Sequence, residues 1–180
     1  VVGAVAALRE YKPPLIVVDM GTATTMIVLD STGTLVGGCI CPGVKISLDA
    51  LTERTALLPG LQLDQPKHAI GRNTIDCMRS GIMMGAASMI DGMIERMEAE
   101  LGYETTVIAT GGIAGKNPLL MQEYANFLNR TVAVGQIAEG PAMGSAIFAA
   151  VAAGVYATPS EAAAHMGVKE FVYYEPDREH

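Results

Sequence analysis

The sequence predicts an α/β domain, a mixed five-stranded sheet with helices on both faces. Three observations predict it. The first forty residues hold three short apolar runs rich in β-branched side chains, separated by tight turns, which read as consecutive strands. Residues 73–101 place apolar side chains at steps of three and four, the period of a long helix. From residue 105 onward, strand-like and helix-like segments alternate. The predicted order is β-β-β-α-α-β-α-β-α, and 180 residues suffice for one domain with a real core.

Val1, Val2, Val5 and Leu8 space as a short leading helix with alanines between them, and Lys12-Pro13-Pro14 ends it. Leu15-Ile16-Val17-Val18 is the first strand, Met26 to Asp30 the second and Leu35 to Ile40 the third, the last two joined by the turn Ser31-Thr32-Gly33-Thr34. Between the first two strands stands Asp19-Met20-Gly21-Thr22-Ala23-Thr24-Thr25. This hairpin turn offers a carboxylate, a glycine and three threonine hydroxyls. Turn N–H groups and hydroxyls suit phosphate oxygens, a glycine lets a ligand approach the backbone, and a carboxylate beside them suits a bound cation. The same residues also suit an ordinary hairpin whose Asp and Thr cap their own turn; spacing alone does not separate the two readings.

Cys41-Pro42-Gly43 turns the chain into a helix from Val44 to about Leu57, and Pro59-Gly60 ends that helix before a polar loop from Gln62 to His68. The longest helix opens at Asn73, with Asp76 three residues later as a capping-box partner. Its main apolar stripe is Ile75, Met78, Ile82, Ala86, Met89, Met93 and Met97. A second set, Met83, Ile90, Ile94 and Leu101, exceeds what one sheet face is expected to cover. With the notch made by Gly81 and Gly85, this favours a homodimer interface over a wholly internal helix. Thr105 to Ala109 forms a strand running into Thr110-Gly111-Gly112, where a double glycine lets a nucleotide lie against the backbone. Asn117-Pro118 suits the start of the next helix. Thr131 to Val134 is a strand, Gly140 to Ala153 a small-residue helix, and Ser160 the cap of a last helix reaching Met166.

Apolar residues make up 50% of the chain and charged residues 17%, and the mean hydropathy is +0.32. That balance predicts extensive burial, part of it against a partner. The net charge of −7 argues against a nucleic acid or an anionic membrane as partner. The longest apolar segment, Pro141 to Tyr156, is too short and too weakly hydrophobic to span a bilayer. No targeting segment is visible, so the expected compartment is the cytoplasm, with Cys39, Cys41 and Cys77 as reduced thiols. Histidines 68, 165 and 180 are scattered and the carboxylates form no acid/base pair, so no residue is assigned a catalytic role.

The Asp19 to Thr25 hairpin resembles the phosphate loop of the actin-like ATPase superfamily, whose domains have a ribonuclease H-like fold. Residues 1 to about 112 resemble type III pantothenate kinase, through Val17 to Thr25, Gly37-Gly38, Pro42-Gly43, Ser47, Ala50-Leu51, Ala56 to Pro59, Ile70 to Thr74, Met78 to Gly81 and Ala109 to Gly112, in family order. Residues from about 111 to 180 are similar to the carboxy-terminal end of FGGY carbohydrate kinases, ribulokinase especially. That likeness rests on Gly111 to Leu119, Gln122, Ala125, Pro141 to Ala146, Ser160 to Ala162 and Tyr174 to Pro176. The chain reads as a single second domain of that superfamily, 1–112 of one kind and 113–180 of the other.

The resemblance implies ATP bound at Gly21, Thr22, Thr24, Gly111, Gly112 and Asn117, with Mg²⁺. It implies a monovalent cation, K⁺ or NH₄⁺, on Asp19, and pantothenate at Thr74. It also places the family's general base, in a Gly-Ala-Asp-Arg motif, upstream of Val1 with a first domain, so the isolated chain is expected to lack activity. Three functions stay open: the ATP-binding half of a pantothenate kinase-like enzyme in coenzyme A biosynthesis, part of a sugar kinase, and a non-catalytic chimeric or truncated module.

Overall fold

Leu15–Met20 (β1) forms the centre of the sheet because nearly every side chain on it is buried. In the computed structural model, which describes residues 2–55, 58–62, 64–111, 118–129, 131–135, 140–167 and 170–177, β1 pairs antiparallel with Ala23–Leu29 (β2) and parallel with Thr106–Thr110 (β4). Leu35–Pro42 (β3) adds to β2 antiparallel, Val132–Gly135 (β5) to β4 parallel, and Phe171–Tyr174 (β6) to β5 antiparallel. The order is β3-β2-β1-β4-β5-β6.

The mixed sheet agrees with the sequence, but it has six strands rather than five. β6 has only four residues and follows a helix, so its pattern does not distinguish it from a tail. It is fixed by contacts distant in sequence: the hydroxyls of Tyr11 and Tyr173 lie 2.8 Å apart, and the Tyr11 ring meets Phe171 edge-on at 5.6 Å. The hairpin is also tighter than expected. Ala23, Thr24 and Thr25 are already in β2, because β-branched threonines pair well across a ladder, and only Gly21 and Thr22 turn. Asp30 lies beyond β2, where its carboxylate accepts from the Thr32 hydroxyl, Thr32 N and Thr34 N at 2.6–3.0 Å and closes the β2–β3 turn. The Thr32 hydroxyl, ahead of the backbone donors, holds that carboxyl below its ordinary range.

Strand alternation gives the sheet two distinct faces. One carries Ile16, Val18, Met20, Met26, Val28, Val107, Ala109, Val132 and Val134. It is covered by Val44–Arg54 (α2), Thr74–Leu101 (α3) and Pro118–Leu128 (α4), the last through Met121, Tyr124 and Ala125. The other carries Leu15, Val17, Leu29 and Ile108 and is covered by Val2–Glu10 (α1). Gly140–Ala152 (α5) and Pro159–Met166 (α6) stack beyond α1, burying Ile147, Ala162 and Ala163 beside Val5. The cap of α6 is Thr158 rather than Ser160: its hydroxyl accepts from Glu161 N at 3.1 Å, with Pro159 as the first helical residue.

α3 buries a different face from the one expected. Met78, Ile82, Met83, Ala87, Ile90 and Ile94 are its buried apolar residues, while Met89, Met93 and Met97 flank them and Ile75 is exposed. At 3.6 residues per turn the two apolar sets lie only about 80° apart around the helix, so one broad face takes in both. Ile90, at 1% exposure, is internal to this chain and does not call for a second copy. Gly81 and Gly85 are exposed, and a β-carbon at either would have nothing within 4 Å. The predicted cap at Asn73 is present: its Oδ1 accepts from Asp76 N at 2.9 Å and its Nδ2 donates to Asp76 at 2.7 Å. Asn73→Ala is expected to cost about 1 kcal/mol, read as a shift of the urea midpoint at unchanged slope.

Candidate functional site

The turn Gly21-Thr22 and the end of β4 meet at the carboxyl edge of the central strands. Asp19 stands opposite Thr25 on one side and Thr110 on the other, and Thr25 stands opposite Ile40. This makes a polar row across three strands, on the face that α1 covers farther down. Asp19 is half-buried, and burial raises its carboxyl above the usual carboxylate range. Among the described residues no group donates a hydrogen bond to that carboxylate. A half-buried anion without donors is costly unless something else neutralises it, which suits a cation.

Gly111 closes the row from behind. It is buried, its φ is +104°, and a β-carbon there would overlap the Asp19 carboxylate and lie 2.7–2.8 Å from the carbonyl oxygen and nitrogen of Met20. No other residue type adopts this backbone without strain and also fits this space. In sequence, Gly21 and Gly111 belong to two separate turns; parallel pairing of β1 with β4 makes them parts of one site. Gly21 itself has room: a β-carbon there meets only Ala23 O at 3.7 Å and the Asp19 carboxylate at 4.0 Å. Thr22 is exposed at the tip of the turn.

Gly43 is a part of the site that sequence reasoning took for a simple turn. As the residue capping α2, it packs on the carbonyls of Gly21 and Thr22, and a β-carbon would overlap the Thr22 oxygen. Its backbone angles are ordinary (φ −73°, ψ 162°), so space alone requires glycine here. The signal that could have found it is Pro42-Gly43 at a strand end, but only the tertiary fold brings it under the hairpin.

The remaining expected site residues fall in different places. Thr24 is 5% exposed and stands on the face of Met20 and Met26, turned into the core on the opposite side from Asp19, so its hydroxyl is not presented at the turn. Thr74 is exposed at the start of α3, in the layer covering that same opposite face, and no hydrogen bond among the described residues joins it to the turn. Gly112 and Asn117 lie outside the described residues. Lys45, two residues after Gly43, is paired with Asp49 at 3.0 Å on the exposed side of α2. Among the described residues no three His, Cys, Asp or Glu side chains gather as a metal cluster, and no helix is long and apolar enough to cross a membrane.

Comparison with known proteins gives the family and the fold. Residues 1–96 match the model for type III pantothenate kinase, and residues 49–153 match that for the FGGY family of carbohydrate kinases, C-terminal domain. The two matches overlap between residues 49 and 96. The type III pantothenate kinase of Myxococcus xanthus is 45% identical over 114 residues, 63% of this chain and 44% of that protein. That of Thermomicrobium roseum is 45% identical over 122 residues, 68% of this chain and 47% of that protein. The chain thus spans less than half the length of these curated relatives. Among solved structures, the xylulose kinase from Rhodospirillum rubrum aligns with 99% of this chain and 46% of its own, at a TM-score of 0.64 and 16% identity. That likeness establishes the actin-like ATPase fold.

Proposed function

We propose, for a chain that belongs to the type III pantothenate kinase family, that the joined turns at the ends of β1 and β4 hold the nucleotide of an ATP-dependent phosphotransferase. The observation that carries this reading is the packing of Gly111 against Asp19 and Met20, which makes one backbone-lined site of two glycine turns. In it, the Gly21-Thr22 backbone and the Thr22 hydroxyl face the phosphates, with Mg²⁺ accompanying them, and Gly112 and Asn117 are assigned to the nucleotide by their match to the family. Asp19, half-buried and with no hydrogen-bond donor among the described residues, holds K⁺ or NH₄⁺. In phosphoryl transfer the protein contributes mainly position and charge stabilisation, and these groups supply both.

The acceptor is read as pantothenate, with Thr74 assigned to it by its match to the family, and the setting as cytoplasmic coenzyme A biosynthesis. A polypeptide of these 180 residues, assayed by itself, is read as binding nucleotide weakly without turnover, since it spans less than half of its relatives. Two copies are read as pairing through the exposed Gly81 and Gly85 side of α3. A second reading, the carboxy-terminal domain of an FGGY carbohydrate kinase, is favoured by the match over residues 49–153. ATP-dependent phosphorylation of ribulose or xylulose rather than pantothenate, by a longer protein carrying this chain, would support it.

Calorimetric titration with ATP tests the site. Loss of a hydrogen bond to a charged phosphate is worth roughly 1.5–3 kcal/mol, so Thr22→Val is expected to bind about tenfold or more weakly; unchanged affinity would sink the assignment. Replacing K⁺ by a bulky organic cation is expected to weaken ATP binding in the wild type and leave Asp19→Asn unaffected. Since burial raises the Asp19 pKa and the proton competes with the cation, the K⁺ effect is expected to fade as pH falls through that raised value. A K⁺ response of equal size in both proteins would remove the cation from Asp19.

A further inference from the structure

Given the monovalent cation proposed for Asp19, on which this step rests, we infer that the hydroxyl oxygens of Thr25 and Thr110 hold that ion together with the Asp19 carboxylate. Asp19 stands opposite Thr25 in the antiparallel ladder and opposite Thr110 in the parallel one. Residues directly opposite one another share a sheet face, and here it is the face of Val17 and Ile108. All three residues are half-buried. Oxygen-bearing side chains from β2, β1 and β4 thus stand side by side in one row.

The two hydroxyls are not used by the fold. Among the described residues neither makes a hydrogen bond, and neither donates to the carboxylate between them. Asp30 shows the contrast within the same chain. There the Thr32 hydroxyl donates to the carboxylate at 2.6 Å and meets the Thr34 hydroxyl at 2.8 Å, closing a turn. Around Asp19 the same residue types keep their lone pairs free, as ligands to a cation require.

The spacing selects the ion. Neighbouring strands lie about 4.8 Å apart, so the row spreads its oxygens over the width of three strands. Mg²⁺ demands near-octahedral oxygens at about 2.0–2.1 Å, and paired strands cannot close in that far. A larger ion of single charge needs no such closure, and one carboxylate neutralises it. The row is bounded on both sides. β3 continues it with Ile40, which is apolar and 79% exposed, and Gly111 packs against the carboxylate. The ion's remaining positions are therefore left to water or to a phosphate oxygen. With a phosphate oxygen there, the ion and ATP strengthen each other's binding by the same factor.

Titration of the chain with thallous ion, a probe of K⁺ size and charge, tests the ligands by thallium NMR without any nucleotide. The chain is expected to shift and broaden the thallium line, and added K⁺ to reverse this. Thr25→Val and Thr110→Val keep the side-chain shape and suit a strand. Each is expected to weaken thallium binding about tenfold, while Thr25→Ser and Thr110→Ser, which restore the oxygen, stay within about threefold of the wild type. Thr22→Val is expected to leave thallium binding unchanged, so a failed nucleotide assignment is read separately. Wild-type affinity in both valine variants, with binding lost in Asp19→Asn, would overturn the two threonine ligands and leave the ion on Asp19. No K⁺-reversible binding by the wild type would remove the ion from Asp19 and the threonines alike. Circular dichroism checks that the variants fold; where a valine variant does not, the alanine variant at that position takes its place with the same expectation.

Discussion

Gly111→Ala is expected to lower the melting temperature by roughly 10 °C and to abolish measurable ATP binding. The backbone conformation at φ +104° is one that side chains rarely adopt, and such strain costs on the order of 1–3 kcal/mol. The added methyl also overlaps the Asp19 carboxylate and crowds the Met20 backbone, and overpacking of this kind costs about 1–3 kcal/mol more. The Asp19 carboxylate can turn aside, but the Met20 backbone belongs to a paired strand, so full relief requires β1 and β4 to part. For a chain of this size each kcal/mol moves the midpoint by roughly 2–4 °C. Gly21→Ala is the control. Its methyl meets only ordinary contacts, so its melting temperature is expected to stay close to that of the wild type while nucleotide affinity falls. Equal melting temperatures for the two variants would show that Gly111 does not seal the site as described.

Ile90→Glu is expected to unfold the chain outright. Ile90 is 1% exposed, in the cluster that joins α3 to β1, β2 and β4. The substitution loses about 1.5–3 kcal/mol of apolar burial and places a carboxylate where no partner exists, at several kcal/mol more. Whole-domain stabilities are about 5–15 kcal/mol, so loss of native circular dichroism at room temperature is the outcome to look for. Gly85→Arg addresses the other side of the same helix. It is exposed with open space around it, so this variant is expected to fold and, by light scattering, to convert a dimer into a monomer. A folded, monomeric Ile90→Glu protein would contradict the packing of α3, and a wild-type monomer at micromolar concentration would remove the proposed pairing.

Much of the site was legible because local chemistry dictates it. Asp19-Met20-Gly21-Thr22 between two apolar runs fixes a hairpin with a carboxylate and hydroxyls, whatever the rest of the chain does. Thr110-Gly111 at a strand end is a local signal of the same kind. The inward turn of Thr24 was not legible. It depends on which side chains of β2 share a face, and that depends on a turn of two residues rather than a longer one.

Composition and period by themselves determined the α/β class, the first five strands, the existence and cap of α3, and the two glycine turns. Each is a matter of backbone preference or of side chains a few residues apart. The tertiary structure decided which face of α3 is buried, because two apolar sets about 80° apart can be taken in by one broad surface or by two partners, and only the width of the sheet settles which. It decided that Phe171–Tyr174 is a strand, because Tyr11 and β5 hold it from far along the chain. It also decided that Gly43 and Gly111 close on the hairpin that carries Gly21, because strand pairing and the seating of α2, rather than proximity in sequence, bring their backbones too close to Thr22 and Met20 for a side chain to fit.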